Sequence, residues 1–125
     1  MPAKRVARQP REWATDPTKF GEVPTGRTTP VRWYRPADAF EQICLDAAKI
    51  QHEVIVIANA YRLARDGVSW KDLSNDFQMS YTQLMKVVRG QAHISMRHVA
   101  DFTRVLGPVF ITEYRRRLQQ VNDET

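Results

Sequence analysis

Between residues 80 and 90 the chain reads "SYTQLMKVVRG". Ser80, Tyr81, Thr82, Gln83, Lys86 and Arg89 bring hydroxyls, a carboxamide, an ammonium and a guanidinium into one short run. Leu84, Val87 and Val88 fall between them at steps of three and one, which on a helix gathers them on a buried side. The polar set is left on or near the outer side. Such a face can donate and accept hydrogen bonds and carry positive charge toward a partner; it holds no pair suited to proton transfer. Elsewhere the sequence has no local nucleophile–base signature and no glycine-rich phosphate loop, so a binding protein is expected, not an enzyme. His52, His93 and His98 lack a Cys or carboxylate at metal-ligand spacing and are expected at the surface or at helix caps. No metal, cofactor or small-molecule substrate is expected.

A run this short cannot hold itself helical, because isolated helices under about a dozen residues are marginal in water. Its supports must come from neighbouring elements. Immediately before it, "WKDLSNDF" (70–77) is a second short amphipathic run, with Leu73 and Phe77 facing one way and Ser74 small enough for close approach. "QMS" breaks the two apart, Ser80 stands where an N-cap belongs, and Gly90 ends the second run. Met79 and Met85 suit packing beside the pair. The first run therefore anchors the second, and the short turn fixes the angle between them.

Upstream, Pro36 and Asp38 open a helix. Phe40, Ile43, Ala47, Ile50, Val54, Ile57, Tyr61 and Ala64 then follow at alternating steps of three and four, one continuous stripe. Residues 37–66 could form a single helix about 45 Å long, or two helices broken near Gln51–His52. The stripe is expected to be a core face first and a dimer seam second, with "VIVIA" (54–58) buried all round and Cys44 a small hydrophobe beside it. Downstream, residues 93–107 form a helix with Ser95 as N-cap and Gly107 as its stop, and Pro108 starts a last helix through "VFITEYRRRLQQ". The "RRR" at 115–117 is expected to be a solvated face.

An apolar fraction of 42% over 125 residues is enough for one domain with a core. No stretch approaches a membrane span, the start has no apolar run after its charges, and a lone cysteine fits a reducing, cytosolic compartment. Charge is unevenly placed. Residues 1–36 hold eight Lys/Arg and three Asp/Glu, a net +5, whereas residues 37–125 hold eleven of each. The same first segment carries six of the seven prolines, and reads as an extended basic arm. Either an acidic partner such as nucleic acid or mere solubility accounts for it. Trp13, Phe20, Trp33 and Tyr34 are expected to pack some of it onto the body.

"WKDLSNDFQMSYTQLMKVVRG" (70–90) resembles the helix-turn-helix of the Cro and lambda-repressor-like DNA-binding proteins. The register is ungapped: Leu73 and Phe77 in the first helix, Ser80 at the start of the recognition helix, Leu84 and Val87 on its buried side, "RG" at its end. The helix ending in "RVLG" is similar to the family's next helix, and the likeness spans roughly residues 54–107. It implies an all-α, five- to six-helix lambda-repressor-like domain over 37–125, with the arm (1–36) appended. It also implies a homodimeric, sequence-specific double-stranded DNA-binding regulator, most simply a bacterial or phage repressor in the cytoplasm at the nucleoid. Tyr81, Thr82 and Lys86 would read bases. Ser80, Gln83 and Arg89 would lie at the backbone or groove margin, and Arg27, Arg32 and Arg35 of the arm would touch DNA. About five neutralised phosphates would give a log–log salt slope near −4 to −5. Gln78 stands where the family commonly has Gly, so a positive φ there would cost about 1 kcal/mol. Trp70 replaces a phosphate-contacting Gln and is expected to pack instead. The rival expectation is a protein-interaction module, antitoxin-like or from phage assembly, gripping a partner with the same helices.

Overall fold

The computed structural model describes residues 9–24 and 30–124. Among them are five α-helices: α1 (Ala39–Ala64), α2 (Trp70–Leu73), α3 (Tyr81–Val88), α4 (Met96–Leu106) and α5 (Pro108–Glu124). An isolated antiparallel bridge joins Ala14 to Trp33. The all-α expectation holds at this level.

Residues 37–66 yield one helix, without the break considered near Gln51–His52. Asp38 caps it by accepting from the Glu41 amide at 2.8 Å, and Glu41 accepts in turn from the Ala37 amide at 2.9 Å. Pro36 lies just ahead of the cap. The C-terminal end unwinds through Asp66 and Gly67, both at positive φ. Val54 to Ala58 are all buried, as "VIVIA" predicts.

The first half of the stripe departs from expectation. Phe40 and Ile43 are 56% and 66% exposed, and the buried positions there are Glu41, Leu45 and Ala48. The covered face is thus turned by about one residue, some 100° around the helix. The cause is what covers it. Trp13 is buried with Leu45 and Ala48, and Trp33, Tyr34 and Cys44 pack around them, so the N-terminal segment and not another helix caps this half of α1.

That segment is part of the body, not a free arm. A short 3-10 helix at Pro10–Trp13 and another at Pro17–Lys19 bury Trp13 and Phe20. The returning segment pairs with it, Thr15 N–H to Arg32 O and Tyr34 N–H to Trp13 O, both 2.9 Å. Gly21, at φ 75, donates its N–H to His52 Nδ1 at 2.8 Å and accepts from the Asn59 amide at 2.9 Å. A Cβ on Gly21 would come within 2.5 Å of Ile55 Cγ2, so only glycine admits this approach.

Phe102, Phe110, Leu84, Val87 and Leu106 complete the main core against α1, with Leu73 and Phe77 from α2 and the turn after it. Gly107, at φ 81, ends α4 and Pro108 begins α5. Of the three consecutive arginines, Arg115 and Arg116 are exposed, while Arg117 reaches Glu53 on α1 at 2.7 Å with both side chains about three-quarters covered.

Candidate functional site

α3 is an eight-residue helix held at both ends. Ser80 caps its start, accepting from the Gln83 amide at 3.1 Å, and Gly90 closes it at φ 72. Leu84, Val87 and Val88 are buried beneath it. Tyr81, Thr82, Gln83, Lys86 and Arg89, with Ser80, are all exposed. The six residues singled out in this helix therefore share an accessible surface. Lys71 on α2 places its ammonium 5.8 Å from the centre of the Tyr81 ring, near the outer limit of a cation–π contact. Trp70 packs against the core with Arg62 over its ring, as expected.

The turn before α3 is shaped without the strain that a positive φ at Gln78 would bring. Among the described residues Asp66 alone, other than glycines, has positive φ. The turn instead follows a 3-10 extension of α2 at Ser74–Asp76 and runs on through Phe77, which is in extended conformation. α4 braces it. Asp101 accepts from the Gln78 amide at 2.8 Å, and Arg104 donates to Asp76 O at 2.6 Å and to Asp101 at 2.8 Å.

At the other end a buried side chain from α1 does the bracing. The Gln51 amide nitrogen donates to Val87 O at 3.0 Å and Ala92 O at 2.9 Å, while its oxygen accepts from the Ile94 amide at 2.9 Å. One carboxamide thus satisfies three backbone groups in the last turn of α3 and the loop to α4. The N-terminal segment adds a fourth hold: Arg11 donates its N–H to Gly90 O at 3.0 Å, and the Phe20 ring covers Gly90 so closely that a Cβ there would meet it at 2.8 Å.

Sequence reading missed these supports. Gln51, Asp101 and Arg104 look like ordinary surface residues on amphipathic helices, and no local pattern marks their partners, 23 to 43 residues away. Of the N-terminal cations, Arg32 and Arg35 are exposed on the strand that covers α1, and Arg27 lies outside the described residues. Among the described residues, the Arg11 backbone abuts the end of α3, beside Arg89 in a shared surface hollow.

The histidines divide. His93 is exposed and His98 is a cap residue, as anticipated, but His52 is buried. Its ring sits between Phe20 and Trp33, edge to face, with centroids at 5.6 and 5.4 Å. Burial, and secondarily the Arg117 charge, lower its pKa to about 4. The hydrogen bond accepted by Nδ1 from Gly21 agrees, since a neutral ring is needed to accept it. On α4, His98 occupies the third helical position of a capping box: its Nδ1 accepts from the Ser95 amide at 3.1 Å and Ser95 Oγ accepts from the His98 amide at 3.2 Å. Desolvation, then the nearby Arg97, lower its pKa, with Asp101 opposing.

Between the turn and α4 lies a half-open groove of about 690 Å³, lined by Gln78, Met79, Gln83, Arg97, His98 and Arg104 among others. It carries the polar surface of α3 onto α4. Among the described residues no cluster of His, Cys, Asp and Glu could hold a metal ion, and no helix is long and apolar enough to cross a membrane. No known protein family, curated protein or solved structure matches the chain, so the geometry alone bears on function.

Proposed function

We propose that this protein is a sequence-specific double-stranded DNA-binding regulator of the lambda-repressor-like helix-turn-helix kind, acting as a repressor. The observation that carries the reading is α3 itself. It is a short helix capped, stitched and covered from three other parts of the molecule, with its whole polar face left outside. Rigid placement of that kind is wasted on a solvated surface and suits a helix that must meet the major groove at a set angle. Tyr81, Thr82 and Lys86 then read base edges, Lys86 donating to guanine and the Thr82 methyl meeting thymine methyl. Ser80, Gln83 and Arg89 lie at the groove margin. Arg11, with Arg32 and Arg35 further round, supplies backbone charge.

A homodimer spanning two half-sites about 34 Å apart follows from the same reading. The exposed Phe40 and Ile43 on α1 offer apolar surface to a second copy. They would equally serve a different protein, which keeps a protein-interaction module as the rival reading.

Selection of bound duplexes from a random pool tests the proposal. A defined half-site should emerge, and Lys86→Ala or Tyr81→Ala should relax preference at particular positions, by about 1–3 kcal/mol each. Binding that is salt-sensitive but blind to sequence, together with a stable co-purifying protein, would overturn it in favour of the rival.

A further inference from the structure

At its last turn α3 meets the N-terminal segment around a surface hollow of about 350 Å³. Phe20 and Val88, both buried, give it apolar lining, and Arg11, Thr18, Glu22 and Arg89 line its polar side. The two arginines are held as neighbours by the backbone. Arg11 donates its N–H to Gly90 O at 3.0 Å, and a Cβ on Gly90 would come within 2.9 Å of the Arg11 Cβ. Arg89 donates its own N–H to Met85 O at 2.9 Å, closing the helix. Arg11 uses its Nε–H on Gln9 Oε1 at 3.0 Å, which fixes the plane of its guanidinium. Among the described residues no carboxylate forms an ion pair with either guanidinium. Glu22 is the acidic side chain of the lining, so two positive charges stand against one negative.

A helix C-terminus ordinarily repels an anion through its bare carbonyls. Here they are occupied. Arg89 N–H binds Met85 O, the Gln91 and Ala92 amides bind Lys86 O, Gly90 N–H and Gln51 bind Val87 O, and Arg11 N–H binds Gly90 O. What remains for a partner is the pair of guanidiniums, whose planar donor forks match the oxygens of a phosphate. Two cations bordering one hollow repel each other, and an anion between them offsets that repulsion. We propose that Arg11 and Arg89 jointly seat one phosphate group, so that the N-terminal segment and α3 grip the same strand of DNA at the rim of the major groove. This rests on the DNA-binding reading above and deepens it, since there each arginine has only a place near the backbone. In that reading the N-terminal residues of α3 meet base edges, and its C-terminal end leads out toward a strand bordering the groove. The contact carries no base information; it fixes register and makes the N-terminal segment part of the interface.

The test uses the full chain and a salt series of duplex binding. Arg11→Gln and Arg89→Gln, which leave the backbone bonds to Gly90 O and Met85 O in place, should each weaken binding by about tenfold. Because one phosphate is shared, the double variant should lower the log–log salt slope by about 0.9 in all; a loss of about 1.8 means two separate phosphates and overturns the proposal. Arg11→Lys with Arg89→Lys keeps the charge and should keep the slope; a slope lost there as well means damage to the fold and overturns it too. On a duplex selected by the wild type, a scan with single neutral methylphosphonates locates the contact. Neutralising one position should weaken the wild type and leave wild type, Arg11→Gln and Arg89→Gln binding alike; two such positions, or none, overturn the proposal. If the wild type binds no duplex, the DNA-binding reading falls, and the Nε–H resonances of Arg11 and Arg89 decide the seat separately. Moving together in inorganic phosphate but not in chloride of equal ionic strength, they keep it as a site for a free phosphate group; unmoved, they end it.

Discussion

Acid should loosen the N-terminal segment through one side chain, His52. In the unfolded chain its imidazole protonates near 6.5, and in the folded protein at about 4. Between those values the unfolded state holds more protons, so lowering the pH favours unfolding. The stabilisation is complete above pH 6.5, declines as pH falls toward 4, and declines no further below that. The full gap corresponds to roughly 3 kcal/mol, of which about 2 kcal/mol should be lost by pH 5. The structural reason is specific. A proton on Nδ1 would face the Gly21 N–H it now accepts from, in a site closed by Phe20 and Trp33.

Urea titrations between pH 7.5 and 4.5 read this directly. His52→Gln is the control, because its amide oxygen can take the Gly21 hydrogen bond but cannot titrate in this range. His93, His98 and the carboxylates contribute equally to both proteins, so the difference between them isolates His52. The wild type should lose about 2 kcal/mol more than His52→Gln by pH 5, a fall in melting temperature of roughly 6–10 °C for a chain of this size. Parallel pH curves, or a His52 ring resonance titrating near 6.5, would refute the reasoning.

Other perturbations follow from the same contacts. Gln51→Leu fills the space but strands Ala92 O and the Ile94 amide, while Val87 O keeps the Gly90 N–H at 3.2 Å; at about 1–3 kcal/mol per unsatisfied group it should cost at least about 2 kcal/mol by denaturant titration, and amide exchange at Ile94 should accelerate. Gly21→Ala and Gly107→Ala separate strain from crowding. Both residues have positive φ, and Gly107, at ψ −169, lies in a region open essentially to glycine, but a Cβ there meets nothing within 4 Å; Gly107→Ala should cost about 1–3 kcal/mol from strain alone, and Gly21→Ala, which adds the approach to Ile55, more, by calorimetry. On the DNA-binding reading, Arg32→Gln or Arg35→Gln should reduce the salt slope of duplex binding by about 0.9 for each side chain that meets a phosphate, and an unchanged slope would remove that side chain from the interface.

The helices were legible because their boundaries are written locally. Asp38, Ser80 and Ser95 are caps by side-chain chemistry, Gly90 and Gly107 are stops by backbone freedom, and the structure uses each in that way. The outward face of α3 was legible for a similar reason, since its apolar and polar positions differ by helical phase alone. The covered face of α1 was not. Its stripe of apolar residues is real, but the pattern cannot tell which neighbour will come to lie on the helix. The neighbour was a proline-rich segment whose aromatics are spaced irregularly and close over His52, and the buried positions of α1 also include the polar Glu41 and Gln51. Polar residues are counted as surface in any periodicity, so a face that buries hydrogen-bonded polar groups disappears from it.

Those same hidden residues determine how α3 is held. The turn leading into it is tied to α4 through Asp101 and Arg104, its first turn touches α4 at His98, and its end is held to α1 through Gln51 and to the N-terminal segment through Arg11 and Phe20. Fixing a rod at one end leaves its tilt free; fixing it at both ends from different elements removes that freedom. Besides the apolar contacts beneath it, the supports from Asp101, Arg104, Gln51 and Arg11 are hydrogen bonds to or between backbone atoms, whose geometry tolerates little displacement. Loosening either end should therefore disturb the outer face as a unit. Gln51→Leu, remote from every exposed side chain of α3, should weaken discrimination at all base positions together, whereas Lys86→Ala should weaken it at one.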